Sequence, residues 1–239
     1  PVSWEAANAR LFSVWSLFYM GEIAELMKRV PAHMREAEGR GDRYATTSLE
    51  IGLAAAATLA AGEPQAARER VRAAMSRWGH SSYHFQHYWA VLSEGMIDLY
   101  EGRPKEALER ISDAWPAMKR AYLLHTQNVR IEAGYLRARA AAACGELDEA
   151  IARAEALEAE NVPWGNAFAA ATRGLVAVAR KDTEGAARLL QQAILAFEAA
   201  DMRLFAAATR LRLGEISEGS LAAANIKAGE AWMVAQGIK

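Results

Sequence analysis

One local pattern returns at a near-constant interval and constrains the fold more than any other feature of the chain. Gly21-Glu22, Gly62-Glu63-Pro64, Gly102-Arg103-Pro104 and Gly145-Glu146-Leu147-Asp148 are each followed by an alanine, at Ala24, Ala67, Ala107 and Ala150. The pattern recurs near Lys181-Asp182 with Ala187 and, more faintly, near Gly219-Ser220. An interval of about 40 residues lies within the range of paired-helix solenoid repeats. In such a turn glycine takes the left-handed conformation that ends one helix. Pro64 or Pro104 then sits early in the next helix, where its missing N–H is not needed. Glu106 and Glu149 fall in a first turn, where the helix dipole favours an acid.

Between the turns helix propensity prevails. The 239 residues include only 6 Pro and are rich in Ala, Leu, Arg and Glu, with almost no alternating β-branched stretches. The fold class is therefore all-α, an α-solenoid of about six helical hairpins forming a single domain over residues 1–239. The hairpins are expected at 3–20 with 22–38, 43–61 with 64–78, 81–101 with 104–119, 121–144 with 147–160, 164–180 with 183–199, and 202–218 with 221–236. Pro31 and Pro116 interrupt two of the second helices and should kink or split them. Seven residues before three of the turns stand Ala55, Gly95 and Ala138, small enough for a neighbouring helix to approach closely.

In the first helix Trp4, Leu11, Trp15 and Phe18 form one apolar stripe while Phe12, Val14 and Tyr19 form another. A helix apolar nearly all round calls for neighbours on both sides. The chain opens on Pro1 and not on Met, which points to a fragment of a longer polypeptide, with more structure packed before the first helix. Left uncovered, the Trp15 and Phe18 face of this N-terminal hairpin would be a surface for self-association.

Charge and cysteine content narrow the function classes. A formal net charge of -1 offers no chain-wide attraction to nucleic acid or to acidic membranes, and the apolar runs are too short or too interrupted by charge to span a bilayer. The 1 Cys, Cys144, cannot form an intramolecular disulfide, which fits a reducing, cytoplasmic setting. Its place beside Gly145 fits a small residue near a helix end better than a nucleophile, because no His and carboxylate can be assigned to it. The Arg40-Gly41-Asp42 triplet reads as a loop whose Asp42 caps the following helix, in preference to an adhesion motif. No catalytic set, cofactor motif or Gly-rich phosphate loop is present.

The densest cluster of unusual side chains is Ser82-Tyr83-His84-Phe85-Gln86-His87-Tyr88-Trp89. His80, His84 and His87 have the spacing of ligands on one helical face, but no Cys or acidic cluster accompanies them, and packing or hydrogen bonding between hairpins explains them better than a metal. Phe85, Trp89, Leu92, Met96 and Tyr100 follow helical spacing and read as core. Gln86, His87, Ser93 and Glu94 lie off that stripe and are expected to be exposed. Gln86 and His87, with Tyr88, are the part of the cluster that a partner could touch.

First helices also carry Arg10, Arg130, Arg137, Arg139, Arg173, Arg203, Arg210 and Arg212. A basic ladder led by Arg130, Arg137 and Arg173 could grip an acidic peptide; the competing reading pairs these cations with Glu132, Glu215 and other acids. Trp164, after Pro163 and among alanines, fills a groove or projects from one.

His87-Tyr88-Trp89, Ile97-Asp98-Leu99-Tyr100-Glu101-Gly102, Ala114-Trp115-Pro116, Gly41-Asp42-Arg43-Tyr44-Ala45, Ala199-Ala200-Asp201-Met202 and Trp232-Met233-Val234-Ala235-Gln236-Gly237-Ile238 together carry a resemblance across nearly the whole chain. The chain resembles the tetratricopeptide-like C-terminal region of large bacterial serine/threonine protein kinases that also carry an ATPase-type middle region. The resemblance implies a non-catalytic regulatory or scaffolding module. Its partner would be a protein or peptide, or other domains of the same polypeptide. The kinase's own catalytic motifs are not in this sequence. The alternative from the residues is a small-ligand sensor, with a molecule bound between hairpins setting the curvature of the solenoid.

Overall fold

At the recurring turns the backbone adopts the left-handed conformation that the glycines permit, with φ of +79° at Gly21, +76° at Gly62, +70° at Gly102 and +83° at Gly145. In the fifth turn Lys181 takes φ of 60° without a glycine, and in the sixth Gly219 returns to +63°. These turns organise a computed structural model that describes residues 3–79 and 82–239. Among the described residues every regular element is a helix: α1 (Ser3–Met20), α2 (Ile23–Gly39), α3 (Arg43–Glu50), α4 (Ala56–Ala60), α5 (Pro64–Trp78), α6 (Phe85–Tyr100), α7 (Pro104–Arg120), α8 (Gln127–Cys144), α9 (Leu147–Ala159), α10 (Pro163–Ala179), α11 (Thr183–Ala199), α12 (Arg203–Ile216) and α13 (Gly219–Ala235). They form the six hairpins of an all-α helical repeat, each packed on the next. No helix among the described residues is long and apolar enough to cross a membrane.

The local devices behave as their chemistry dictates. Pro64 and Pro104 stand at the first turns of α5 and α7. Asp42 caps α3 by accepting the Ala45 N–H at 2.9 Å, and Asp182 caps α11 by accepting that of Gly185 at 2.9 Å. The small residue at Gly95 has the expected use, because a Cβ there would lie 2.6 Å from Leu136 Cδ2 on α8.

Three expectations need correction. Pro31 lies inside α2, which is not split there, and Pro116 likewise lies within a continuous α7. The first helix of the second hairpin, in contrast, is broken: Ile51 is extended, Gly52 is left-handed at φ +67°, and a short 3₁₀ turn over Gly52–Ala55 precedes α4. Ser93 Oγ on α6 accepts the freed Gly52 N–H at 2.6 Å, which satisfies the donor that the break exposes. In the fourth hairpin Tyr122 takes φ 58° and a 3₁₀ turn over Leu123–His125 delays the helix to Gln127.

The largest departure from an open solenoid is at its ends. The last hairpin returns to the first, so that α12 packs on α1. A Cβ at Gly21 would lie 2.6 Å from Leu204 N and 3.0 Å from Trp232 Cζ2. Phe18 meets Phe205 edge-on at 5.8 Å, the Ala24 N–H donates to Gln236 Oε1 at 3.0 Å, and the Lys239 N–H donates to the Ala60 carbonyl at 3.0 Å. The neighbour that α1 demanded is thus the far end of this same chain. Phe18 is buried and Trp15 half-buried against Trp89, so the face expected to drive self-association is covered; Trp4 and Phe12, 63% and 57% exposed, remain on the surface of α1.

Closure at Gly21 gives a direct test. Gly21→Ala places a methyl group into Leu204 backbone as well as straining a left-handed residue, whereas Gly145→Ala has the strain but meets nothing within 4 Å. The second substitution should cost about 1–2 kcal/mol and the first at least about 2 kcal/mol more, read from denaturant midpoints. Equal losses would show that the two ends do not meet at Gly21.

Candidate functional site

Closure turns the inner faces of the first helices into the walls of a cavity of about 380 Å³. All six hairpins contribute to it: Phe18 and Tyr19 from α1, Leu59 from α4, Leu92 and Met96 from α6, Glu132, Tyr135 and Arg139 from α8, Phe168 from α10, and Phe205 from α12. Its size falls in the range of small-molecule pockets, and its walls are mostly apolar with a few converging polar groups, the usual composition of such a site. An aromatic belt stiffens one side. Tyr135 stacks on Phe168 at 3.9 Å, Phe168 meets Phe205 at 5.0 Å, and Phe205 stacks on Phe197 at 5.5 Å. Each such pair adds about 0.5–1.5 kcal/mol beyond its buried area.

A second cavity lies towards the opposite ends of the same helices. Phe12, Trp15 and Ser16 of α1, Asn128 of α8, Trp164 of α10 and the turn at Ala200-Asp201-Met202 line it. Tyr19 and Glu132 belong to both linings, so this pair forms the partition between the two spaces. Glu132 is 8% exposed. The Tyr88 hydroxyl donates to its carboxylate at 2.7 Å, and the Tyr19 hydroxyl donates to its other oxygen. Burial raises the Glu132 carboxyl above its ordinary value of 4.5, with the two phenol donors opposing part of that rise. Burial, reinforced by the neighbouring carboxylate, holds both phenols well above their ordinary value, so they stay protonated donors.

The structure separates the residues singled out in the sequence. Gln86, expected at the surface, is 4% exposed, and Tyr88, the third candidate for contact with a partner, is 0% exposed and serves the interior by binding Glu132. The reason is that α6 is flanked on both sides, so the residues off its aromatic stripe face α5, α7 and α8 instead of solvent. Ser93 is buried under Gly52 and Glu94 pairs with Arg110, while Phe85 and Tyr100, expected in the core, are partly exposed. His84 precedes α6, and its N–H donates to His87 Nδ1 at 3.0 Å, which makes the pair a helix-start device. His87 also stacks on Tyr83 at 5.3 Å. His80 lies outside the described residues, among which no three His, Cys, Asp or Glu side chains converge.

The arginines are mostly held by acids. Arg130 grips Glu160 at 2.6 and 2.8 Å and also donates to the Leu124 and His125 carbonyls. Arg137 pairs with Glu149 at 2.6 Å and lies over Trp115, and Arg173 pairs with Glu158 at 2.7 Å. Arg212 takes Glu215 at 2.6 Å as anticipated. Among the described residues no arginine pairs with Glu132, which takes the Tyr19 and Tyr88 hydroxyls instead. Trp164 fills the space beside Tyr19 and Phe168, at 5.6 and 5.9 Å, and lines the second cavity. Of the expected contact residues, only Trp164 lines either cavity. From the sequence Glu132 reads only as a partner for an arginine, although the run Val129-Arg130-Ile131-Glu132-Ala133-Gly134 places it between apolar neighbours.

Compared with known proteins, the chain matches no protein-family model and no curated sequence.

Two substitutions probe the partition. Glu132→Ala leaves two buried phenol hydroxyls without an acceptor and should cost about 2–5 kcal/mol, whereas Glu132→Gln keeps an acceptor oxygen and should cost less than half of that, by denaturant unfolding. A carboxyl whose folded pKa is raised stabilises the fold most when protonated. That advantage declines as pH climbs from the ordinary 4.5 through the raised folded value. The stability of the native chain should therefore fall relative to Glu132→Gln across that window; a difference independent of pH would refute the assignment.

Proposed function

We propose that this protein is a regulatory helical-repeat module, tetratricopeptide-like in its hairpins, that takes a small and largely apolar ligand into its central cavity. The observation that carries this reading is that all six hairpins line one cavity whose closure depends on the first hairpin meeting the last. A ligand there touches both ends of the chain at once and favours the closed arrangement by its differential contacts with it. The state of closure would then be passed to an attached domain. The resemblance to the C-terminal regions of bacterial kinases makes a kinase or ATPase the natural recipient, and the lone Cys144 suits a cytoplasmic setting.

The scaffold reading has one observation of its own. Trp4 and Phe12 stay exposed on α1, and Phe12 with Trp164 rims the second cavity, an aromatic patch suited to the apolar side chain of a protein partner. It fits docking on the outside of a closed module better than an open concave groove, because the inner faces of the first helices wall the central cavity instead of an open groove.

An environment-sensitive apolar dye should bind the native chain at one site. Met96→Trp fills that site and should abolish binding while leaving the helical content intact. Gly21→Ala, which weakens closure from outside the cavity, should weaken binding several-fold. Dye titration by fluorescence measures both, and binding indifferent to Met96→Trp would place the dye elsewhere and count against the reading.

A further inference from the structure

The central cavity contains one cation without an acid. Arg139 sits on the inner face of α8, two turns and roughly 10 Å along the helix from Glu132. Its guanidinium lies over the Tyr135 ring, 4.9 Å from the centroid, and that ring is itself backed by Phe168 at 3.9 Å. Its Nε is buried with no hydrogen-bond partner. Among the described residues no carboxylate lies within 4.0 Å of Arg139, whereas Arg130, Arg137, Arg173, Arg210 and Arg212 each hold one. Among the described residues the only acid in the cavity wall is Glu132, whose two oxygens already receive the Tyr19 and Tyr88 hydroxyls.

We propose that the cavity binds an amphipathic monocarboxylate, whose carboxylate docks on the Arg139 fork and whose apolar body runs over Met96, Leu92 and Leu136 towards the Tyr19–Glu132 partition. This rests on the central cavity being a ligand site at all. A planar guanidinium held over an aromatic ring presents its N–H edge in the geometry that a carboxylate accepts in two parallel bonds. One unpaired positive charge matches one negative charge. A phosphate dianion would call for a second positive charge, and beyond Arg139 the wall offers only neutral groups, the Tyr100 and Tyr135 hydroxyls among them, apart from the occupied Glu132 cluster. An amine at the far end would meet a carboxyl already satisfied by two phenols. If each heavy atom fills about the ~30 Å³ share of a water molecule, the 380 Å³ space suits a chain of about eight to twelve carbons.

The test compares decanoate, decanol and decylamine on the full chain by calorimetry near neutral pH, each below its micellar concentration. Decanoate should bind at least about tenfold tighter than decanol, and decylamine weakest. In Arg139→Gln, with its melting checked, decanoate and decanol should bind alike; Arg139→Lys should restore only part of the preference. On the native chain the preference should also vanish as decanoate is protonated at acidic pH, which requires no variant. Decanol binding as tightly as decanoate, or decylamine binding best, overturns the carboxylate assignment while leaving the cavity a ligand site. If none of the three binds, both readings fail.

Discussion

The return of the last hairpin to the first is the contact on which the remaining structure depends. A solenoid whose ends stay apart has a convex and a concave surface and no interior beyond the seams between repeats. Here Leu204 and Trp232 come down on Gly21, Phe205 on Phe18, and the chain end on Ala60. The first helices, which would line an open groove, instead face one another across a central cavity that stays partly open to solvent. The absence of a side chain at Gly21 is what lets the backbone of α12 approach so closely. A single left-handed glycine therefore serves two purposes, ending α1 and admitting its most distant neighbour.

Closure also explains the chemistry in the interior. Glu132 lies on the face of α8 that an open solenoid would leave wet, and the arrival of α12 and α1 removes its water. An acid in that position must find donors or lose its charge. Tyr19 and Tyr88, from the first and third hairpins, supply them. The cluster ties three hairpins together through one carboxyl group and divides the interior in two. Around it the ordinary ion pairs are of another kind. Arg130 with Glu160 and Arg173 with Glu158 join neighbouring hairpin elements near the surface, where each adds about 0–1 kcal/mol. They position the helices and leave little free charge for a partner. Buried Asp98 is the exception, ringed by Arg68 at 2.7 Å, Arg110 at 2.9 Å and Arg103 at 3.3 Å, and it fastens the second hairpin to the third.

The sequence makes the local architecture legible and leaves the long-range one hidden. The recurring turns with Pro64, Pro104 and Asp42 mark helix ends because capping is a matter of a few adjacent residues. The break at Ile51-Gly52 is less visible, since it depends on Ser93, forty-one positions away, to accept a stranded N–H. Gln86 and Ser93 look exposed when α6 is considered as a single amphipathic helix, yet a helix in the middle of a repeat array has neighbours on several sides and buries residues on each. Glu132 looks like a surface ion-pair partner for the same reason. The signal of closure was present in α1, apolar nearly all round, but nothing local says whether its second neighbour comes from another segment or from the other end of the same chain.

A closed repeat protein also differs from an open one in how it can change over time. In an open array a hairpin can be duplicated or lost with little effect beyond its two neighbours, because stability is nearly a sum of adjacent interfaces. Here one added hairpin would carry Leu204 and Trp232 past Gly21, and one fewer would leave them short of it. The number of repeats is therefore set by geometry, much as the number of staves is set in a barrel. Insertion or loss of a hairpin would open the cavity, whereas substitutions and longer outward turns leave the closure in place.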